Sequence, residues 1–258
     1  MYSLYTLMYA TFTSNVNSVY SGPMIRLQWD MDLARKGYHH GELRSSLLEA
    51  GAALLEQEGP TGLSLRKLAR RLGVTPGAPY RHFEDKDALL AALAAEGYRT
   101  LRAEMLRDTE SAPNAEERLK RAGTGYLRVA TGPPELFRLM FGWMPSRDIP
   151  ELCEAGDAAF EAFEALVQGC EDEGLLRRSV SESGLLAWSA VHGAAFLLID
   201  GRLKVDEPSP SAECILNHLH DSLWGGIGRL QNRHDSQETI PGEGDPDGPG
   251  ASLSGTQP

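Results

Sequence analysis

Between about residues 35 and 234 the apolar positions repeat at helical spacing and strand-type alternation is essentially missing, so the pattern predicts an all-α protein. Leu43, Leu47, Ala50 and Leu54 step by four, three and four, one face of a first helix that stops at Glu58-Gly59-Pro60. Ser64 can cap a second, shorter helix that buries Leu65, Leu68, Ala69 and Leu72 and turns Arg66, Lys67, Arg70 and Arg71 outward. Gly73 suits the left-handed position past its end. Thr75 as N-cap and Pro76 at the first helical position then predict a third helix starting at once. Pro79 removes one early bond of that helix and crowds the Thr75 carbonyl. Phe83 is expected to face the first helix, and Glu84-Asp85 to cap a fourth that packs Leu89, Leu90 and Leu93.

Two short helices joined by a tight Gly-containing turn form a helix-turn-helix, whose second helix enters the major groove while the first crosses the DNA backbone. Gly77, Ala78 and Pro79 keep the leading turn slim, and Tyr80, Arg81 and His82 supply donors for phosphates and base edges. Beyond Leu101 the helical pattern is broken at Pro113, Gly132-Pro133-Pro134, Pro145, Pro150, Gly174 and Pro208, which divides it into five or six helices, the last two near 182–201 and 212–230. The expected organisation is an N-terminal three-helix DNA-binding domain over 35–100 and a larger helical ligand-binding and dimerisation domain over 101–234. Residues 1–34 read as a disordered extension or an over-long start, and the Gly-, Pro-, Ser- and acid-rich 235–258 as a disordered tail.

Composition sharpens this picture at one place. A net charge of −11 argues against a nucleic-acid partner, but from Pro60 to Phe83 the basic residues are Arg66, Lys67, Arg70, Arg71 and Arg81, with Asp and Glu absent. With those five removed, the other 20 Lys and Arg face all 36 Asp and Glu, a balance of −16. Phosphate attraction acts over about a Debye length, so a local basic island on an acidic body suffices for DNA. Cys153, Cys170 and Cys214 show no CxxC spacing and fit small buried hydrophobes in a reducing cytoplasm. The first basic residue is Arg26 and no unbroken apolar run approaches the roughly 20 residues of a membrane helix, so a cytoplasmic protein without membrane contact is expected.

The stretch 38–101, about a quarter of the chain and above all 65–90, resembles the DNA-binding domain of TetR-family transcriptional regulators. The resemblance implies phosphate contacts for Tyr80, His82 and Lys86, and an approach to backbone or bases for Ser64, Arg66, Thr75, Pro76, Gly77, Ala78 and Arg81. It also implies a one-component regulator, a repressor in the commoner mode, that binds near-palindromic operator DNA as a homodimer and is released by a small ligand. The final two helices would pair with their twins as a four-helix interface. A second, shorter resemblance is carried by Trp188, His192 and Gly193, which match the Trp-x-x-x-His-Gly signature of a TetR-subfamily C-terminal domain called WHG. Trp188 and His192 lie four apart on one helical face, as a packing corner at the dimer interface or at the edge of a ligand pocket.

For an unidentified small apolar ligand the candidate lining is Phe137, Met140, Phe141, Trp143, Phe163, Trp188 and His192, a concentration of aromatic and flexible side chains that is as readily plain core. An enzyme is not expected. Ser189, His192 and Asp200 invite comparison with a triad, but Asp200 lies eight residues, about 12 Å, along the helix from His192. Neither His39-His40 nor His218-x-His220 has metal-ligand spacing, and no cofactor is implied. The rival reading is a helical adaptor or ligand-binding protein that does not bind DNA.

Overall fold

The computed structural model describes residues 43–143, 148–203 and 212–227. The expected extension 1–34 and tail 235–258, like Met144, Pro145 and Pro208, lie outside the described residues. Eight α-helices and one short 3-10 turn make up the described elements: α1 Leu43–Gly62, α2 Leu65–Arg71, the turn Pro79–Arg81, α3 Lys86–Leu106, α4 Ala115–Thr131, α5 Pro134–Gly142, α6 Pro150–Asp172, α7 Val180–Ile199 and α8 Ala212–Ile227.

The amino-terminal elements follow their local signals. In α1 the face of Leu43, Leu47 and Leu54 is buried, and the helix breaks where Gly59 takes a φ of 67° ahead of Pro60. Ser64 Oγ accepts from Lys67 N–H at 3.2 Å and starts α2, which buries Leu65, Leu68 and Ala69 and leaves Leu72 half-buried. Past its end Gly73 sits at φ 67°, with Val74 N–H donating to the Ala69 carbonyl (3.0 Å) and Gly73 N–H to Arg70 (3.3 Å), the paired bonds of a Schellman motif. Asp85 caps α3 by accepting from Ala88 N–H at 2.8 Å.

The third helix expected from Thr75 does not form as an α-helix. Residue 79 should donate to the Thr75 carbonyl, but proline has no N–H to give. Ala78 N–H takes that carbonyl instead at 3.0 Å, and the chain runs on as a single 3-10 turn, Arg81 to Ala78 (3.2 Å) and His82 to Pro79 (3.0 Å). Pro79 itself is fully buried as the hub of this turn.

Helix α3 runs from this module into the larger body, where α4, α5 and α6 pack along it. Gly125 on α4 permits the closest approach, because a Cβ there would stand 2.1 Å from the Glu104 carbonyl oxygen. Two polar contacts hold α1 to the body. Glu56 accepts from the N–H groups of Glu135 and Leu136 (3.2 and 2.8 Å) in the first turn of α5, and Arg44 meets Glu151 in the first turn of α6 at 3.0 Å, joined there by Arg99 at 2.9 Å. Burial alone would raise the Glu151 carboxyl, yet hydrogen bonds from Arg99 and Arg44 hold it below its ordinary value.

Candidate functional site

Most of the residues expected to face DNA lie at the surface. Ser64, Arg66, Thr75, Pro76, Gly77, Tyr80, Arg81 and His82 are exposed, and Ala78 and Lys86 are half-buried. Tyr80 is 47% exposed, unusual for a large aromatic side chain, while its neighbours Pro79 and Phe83 are buried. Phe83 faces α1 as expected, with the Arg44 guanidinium 5.6 Å from its ring centre. The chain is thus anchored at Pro79 and Phe83, with the three polar residues between them exposed.

The basic island is less free than its sequence suggests. Lys67 pairs with Glu58 and Arg71 donates to Gln57 Oε1 at 3.3 Å, both partners lying at the end of α1. Folding therefore brings an acid beside an acid-free stretch, and the outward charge is carried by the exposed Arg66, Arg70, Arg71 and Arg81, since the Gln57 amide cancels none of the charge on Arg71.

A cavity of about 90 Å³, at the centre of about 970 Å³ of unfilled space that includes its open mouth, lies in the larger body. Its wall is almost wholly apolar and draws on α3, α4, α5, α6, α7 and α8, with Tyr98, Tyr126, Phe163, Trp188, Leu216 and Trp224 among the principal contributors. Of the seven residues singled out from sequence, Phe141, Phe163 and Trp188 line it. Phe137, Met140, Trp143 and His192 stand off its wall. Phe137 is fully buried behind Tyr126, its ring edge-on at 5.6 Å, and Met140 packs in the core while its carbonyl accepts from Tyr98 Oη at 2.7 Å. Trp143 closes α5 and packs half-buried against the core.

His192 supports the wall from behind. Its ring stacks on Trp188 (4.7 Å between centres, 23° between planes) and meets Phe141 and Phe196 edge-on at 4.8 and 4.9 Å. Its Nδ1 shares a 2.6 Å hydrogen bond with Tyr126 Oη. Burial lowers the imidazole to about 4, so the neutral ring accepts at Nδ1 and the phenol donates. Burial likewise raises the Tyr126 hydroxyl well above its ordinary value and keeps it a donor. Within the chain, Trp188 lies on the cavity wall and His192 packs behind it.

Sequence reasoning missed the contribution of α8. Leu216, Leu219, Leu223 and Trp224 belong to the apolar run it assigned to a dimer face, but they close the cavity over α4. The one available signal was Trp224 four residues past His220, which stacks beneath it at 5.5 Å. The outward apolar surface belongs to α7 instead, where Leu185, Leu186 and Leu197 are 44, 40 and 45% exposed. By length and composition alone α7 could cross a membrane, although polar Ser181, Glu182, Ser183, Ser189 and His192 interrupt its apolar run.

No triad assembles. Asp200 is taken by Arg138 at 2.5 Å, Ser189 is exposed and His192 is committed to Tyr126. Cys153, Cys170 and Cys214 form no disulfide, and burial pushes the Cys170 thiol up to about 12, which keeps it protonated and unreactive.

Comparison with known proteins adds the following. The family model described as bacterial regulatory proteins, tetR family, matches residues 47–93, and one described as tetracyclin repressor-like, C-terminal domain, matches 119–221. The class A tetracycline repressor protein from transposon 1721 of Escherichia coli is 34% identical over 139 residues, 48% of this chain and 60% of that repressor, so the chain spans less than two thirds of that relative. A solved structure of a protein of unknown function from Rhodococcus sp. RHA1 is 33% identical and superimposes with a TM-score of 0.67 over 76% of this chain and all of the other. A tetR-family bacterial regulatory protein from Rhodococcus RHA1 shares the fold at 17% identity, with a TM-score of 0.57 over 72% of this chain and 96% of its own.

Proposed function

The chain belongs to the TetR family of bacterial regulatory proteins, and on that premise we propose that it is a one-component, non-enzymatic transcription repressor that binds near-palindromic operator DNA as a homodimer and is released by a small apolar ligand. The observation that carries the proposal is the outward row of Thr75, Pro76, Gly77, Tyr80, Arg81 and His82 on a buried anchor of Pro79 and Phe83. Tyr80, His82 and Lys86 are suited to phosphates, and Arg81 to a base edge; Ser64, Arg66 and Ala78 flank them.

Two such surfaces must sit about 34 Å apart to reach successive major grooves, which a twofold dimer provides. The exposed leucines of α7 are the natural seat of that dimer, and small Ser189 and Gly193 on the same outer face leave room for a partner helix. A soluble dimer in the cytoplasm would cover what otherwise reads as a membrane-compatible helix. The ligand would enter the cavity against Phe141, Phe163 and Trp188, with Phe137, Met140 and His192 as their backing, and shift the population of dimers whose spacing fits DNA.

The test is fluorescence anisotropy with DNA flanking the gene, across salt. The expected result is tight binding whose logarithm falls steeply and linearly with the logarithm of salt concentration, weakened evenly across sequences by Tyr80→Phe or Lys86→Ala. Salt-insensitive binding, or none to any site selected from random DNA, overturns the proposal in favour of a helical ligand-binding adaptor.

A further inference from the structure

We propose that the cavity takes an apolar molecule carrying one anionic head, a carboxylate or a group like it, with the head held between Lys120 and His220 where α4 meets α8. This rests on the reading of the cavity as a ligand site and adds the chemical class of its occupant.

Besides the indoles of Trp188 and Trp224, the wall offers four polar side chains, and two are already spent. Tyr98 Oη donates to the Met140 carbonyl, and Tyr126 Oη to His192. Lys120 and His220 remain on the wall. The Nε2 of His220 is buried and makes no hydrogen bond, although Glu116 Oε1 stands within ion-pair distance of it at 3.5 Å. Its Nδ1 faces Asp221 at 3.4 Å, and the ring lies on Trp224, which shares the wall. Among the described residues Lys120 has no ion-pair partner, although Glu116 lies one turn earlier on α4.

Nε2 is already shut off from water, so filling this space adds the desolvation of Lys120 to an unmet need that is present from the start. A purely apolar ligand leaves an ammonium and a ring nitrogen desolvated without partners, which costs more than its extra apolar contact returns. A cationic ligand meets Lys120 head-on. An anionic head satisfies Lys120 by a charge-assisted bond and places an acceptor beside Nε2 of His220, which makes no hydrogen bond with Glu116. The remainder of the wall accommodates a hydrocarbon or aromatic body.

Trp188 and Trp224 line the cavity, so quenching of tryptophan fluorescence in the full-length protein reads occupancy directly. The probes are decanoate, decanol and decylamine, which share one chain and differ in the head. Decanoate is expected to bind at least tenfold more tightly than decanol, with decylamine weakest. Lys120→Gln should abolish that preference, Lys120→Arg retain it, and His220→Gln reduce it. Equal affinity for decanoate and decanol, an equal loss for both on Lys120→Gln, or no quenching by any probe overturns the inference. Operator binding by the same unliganded preparation is read separately, so a failed regulator reading shows itself there and a wrong ligand class only in the probe series.

Discussion

Residues 64–86 and the cavity wall are built by opposite means. In the first, the hydrogen bonds that shape the chain join residues no more than five apart: Lys67 to Ser64, Val74 to Ala69, Ala78 to Thr75, His82 to Pro79, Ala88 to Asp85. In the second, contact partners come from distant segments, with Tyr126 bonded to His192 across 66 positions and Tyr98 to Met140 across 42. A surface assembled from local bonds keeps its shape whatever the rest of the molecule does. A cavity whose wall comes from six helices changes when any of them shifts. That division suits the proposed regulator, which would present a fixed face to DNA while its other half responds to a ligand.

Substitutions can break or sharpen this contrast, beginning with the largest effect. Leu47→Ala removes a fully buried side chain that ties α1 to the module and should cost roughly 2–5 kcal/mol in urea melts. A loss below about 1 kcal/mol would mean that α1 is not the platform on which the DNA-facing turn rests.

In the other half, the neutral His192 makes stability depend on pH. The unfolded chain takes up a proton near 6.5 and the folded one only near 4, so stability is complete above about 6.5 and falls as pH is lowered through that window, by up to ~3 kcal/mol. His192→Gln should remove this part of the acid sensitivity, measured as the difference between the two proteins' urea midpoints at pH 7 and pH 4.5. Equal acid losses in both would show that the imidazole is not held neutral behind the wall.

Gly125→Ala drives a methyl group into the Glu104 carbonyl and should cost about 1–3 kcal/mol, with loss of the crossing of α3 and α4, as read by thermal melting. Arg81→Ala should weaken operator binding by about 1–3 kcal/mol and relax preference at one base pair while leaving the fold intact, checked by selection from random DNA. An unchanged preference would move base reading to another residue of the row. Gly73→Ala, forced to a φ of 67°, should cost ~1 kcal/mol of stability with little effect elsewhere, because the strain lies within one Schellman turn.

The legibility of the two halves follows the same line. The caps at Ser64 and Asp85, the left-handed Gly73 and the buried faces of α1 and α2 were all readable, because each depends on side chains a few positions apart. The failure in that half, a 3-10 turn where an α-helix was expected, came from treating Pro79 as one tolerable lost bond, although the missing donor redirects the whole turn. In the other half the helix boundaries near Pro113, Pro134, Pro150 and Gly174 were marked by their own residues, though the Asn114 cap was not foreseen. Which of their apolar faces meet a cavity was not, since Phe137 and Phe141 are four apart on α5 and only the second reaches it.

By itself, the sequence determined an all-α chain, the position of its helix-turn-helix, the outward row from Ser64 to Lys86 and the family resemblance, all of which rest on short-range spacing and backbone capping. The tertiary structure alone decided that Glu58 would reach Lys67, that α8 would close the cavity and leave α7 exposed, and that His192 would stand behind Trp188. Those outcomes depend on how helices far apart in the chain pack against one another. Helical periodicity marks an apolar face but carries no information about which neighbour, core, cavity or partner copy, that face will meet.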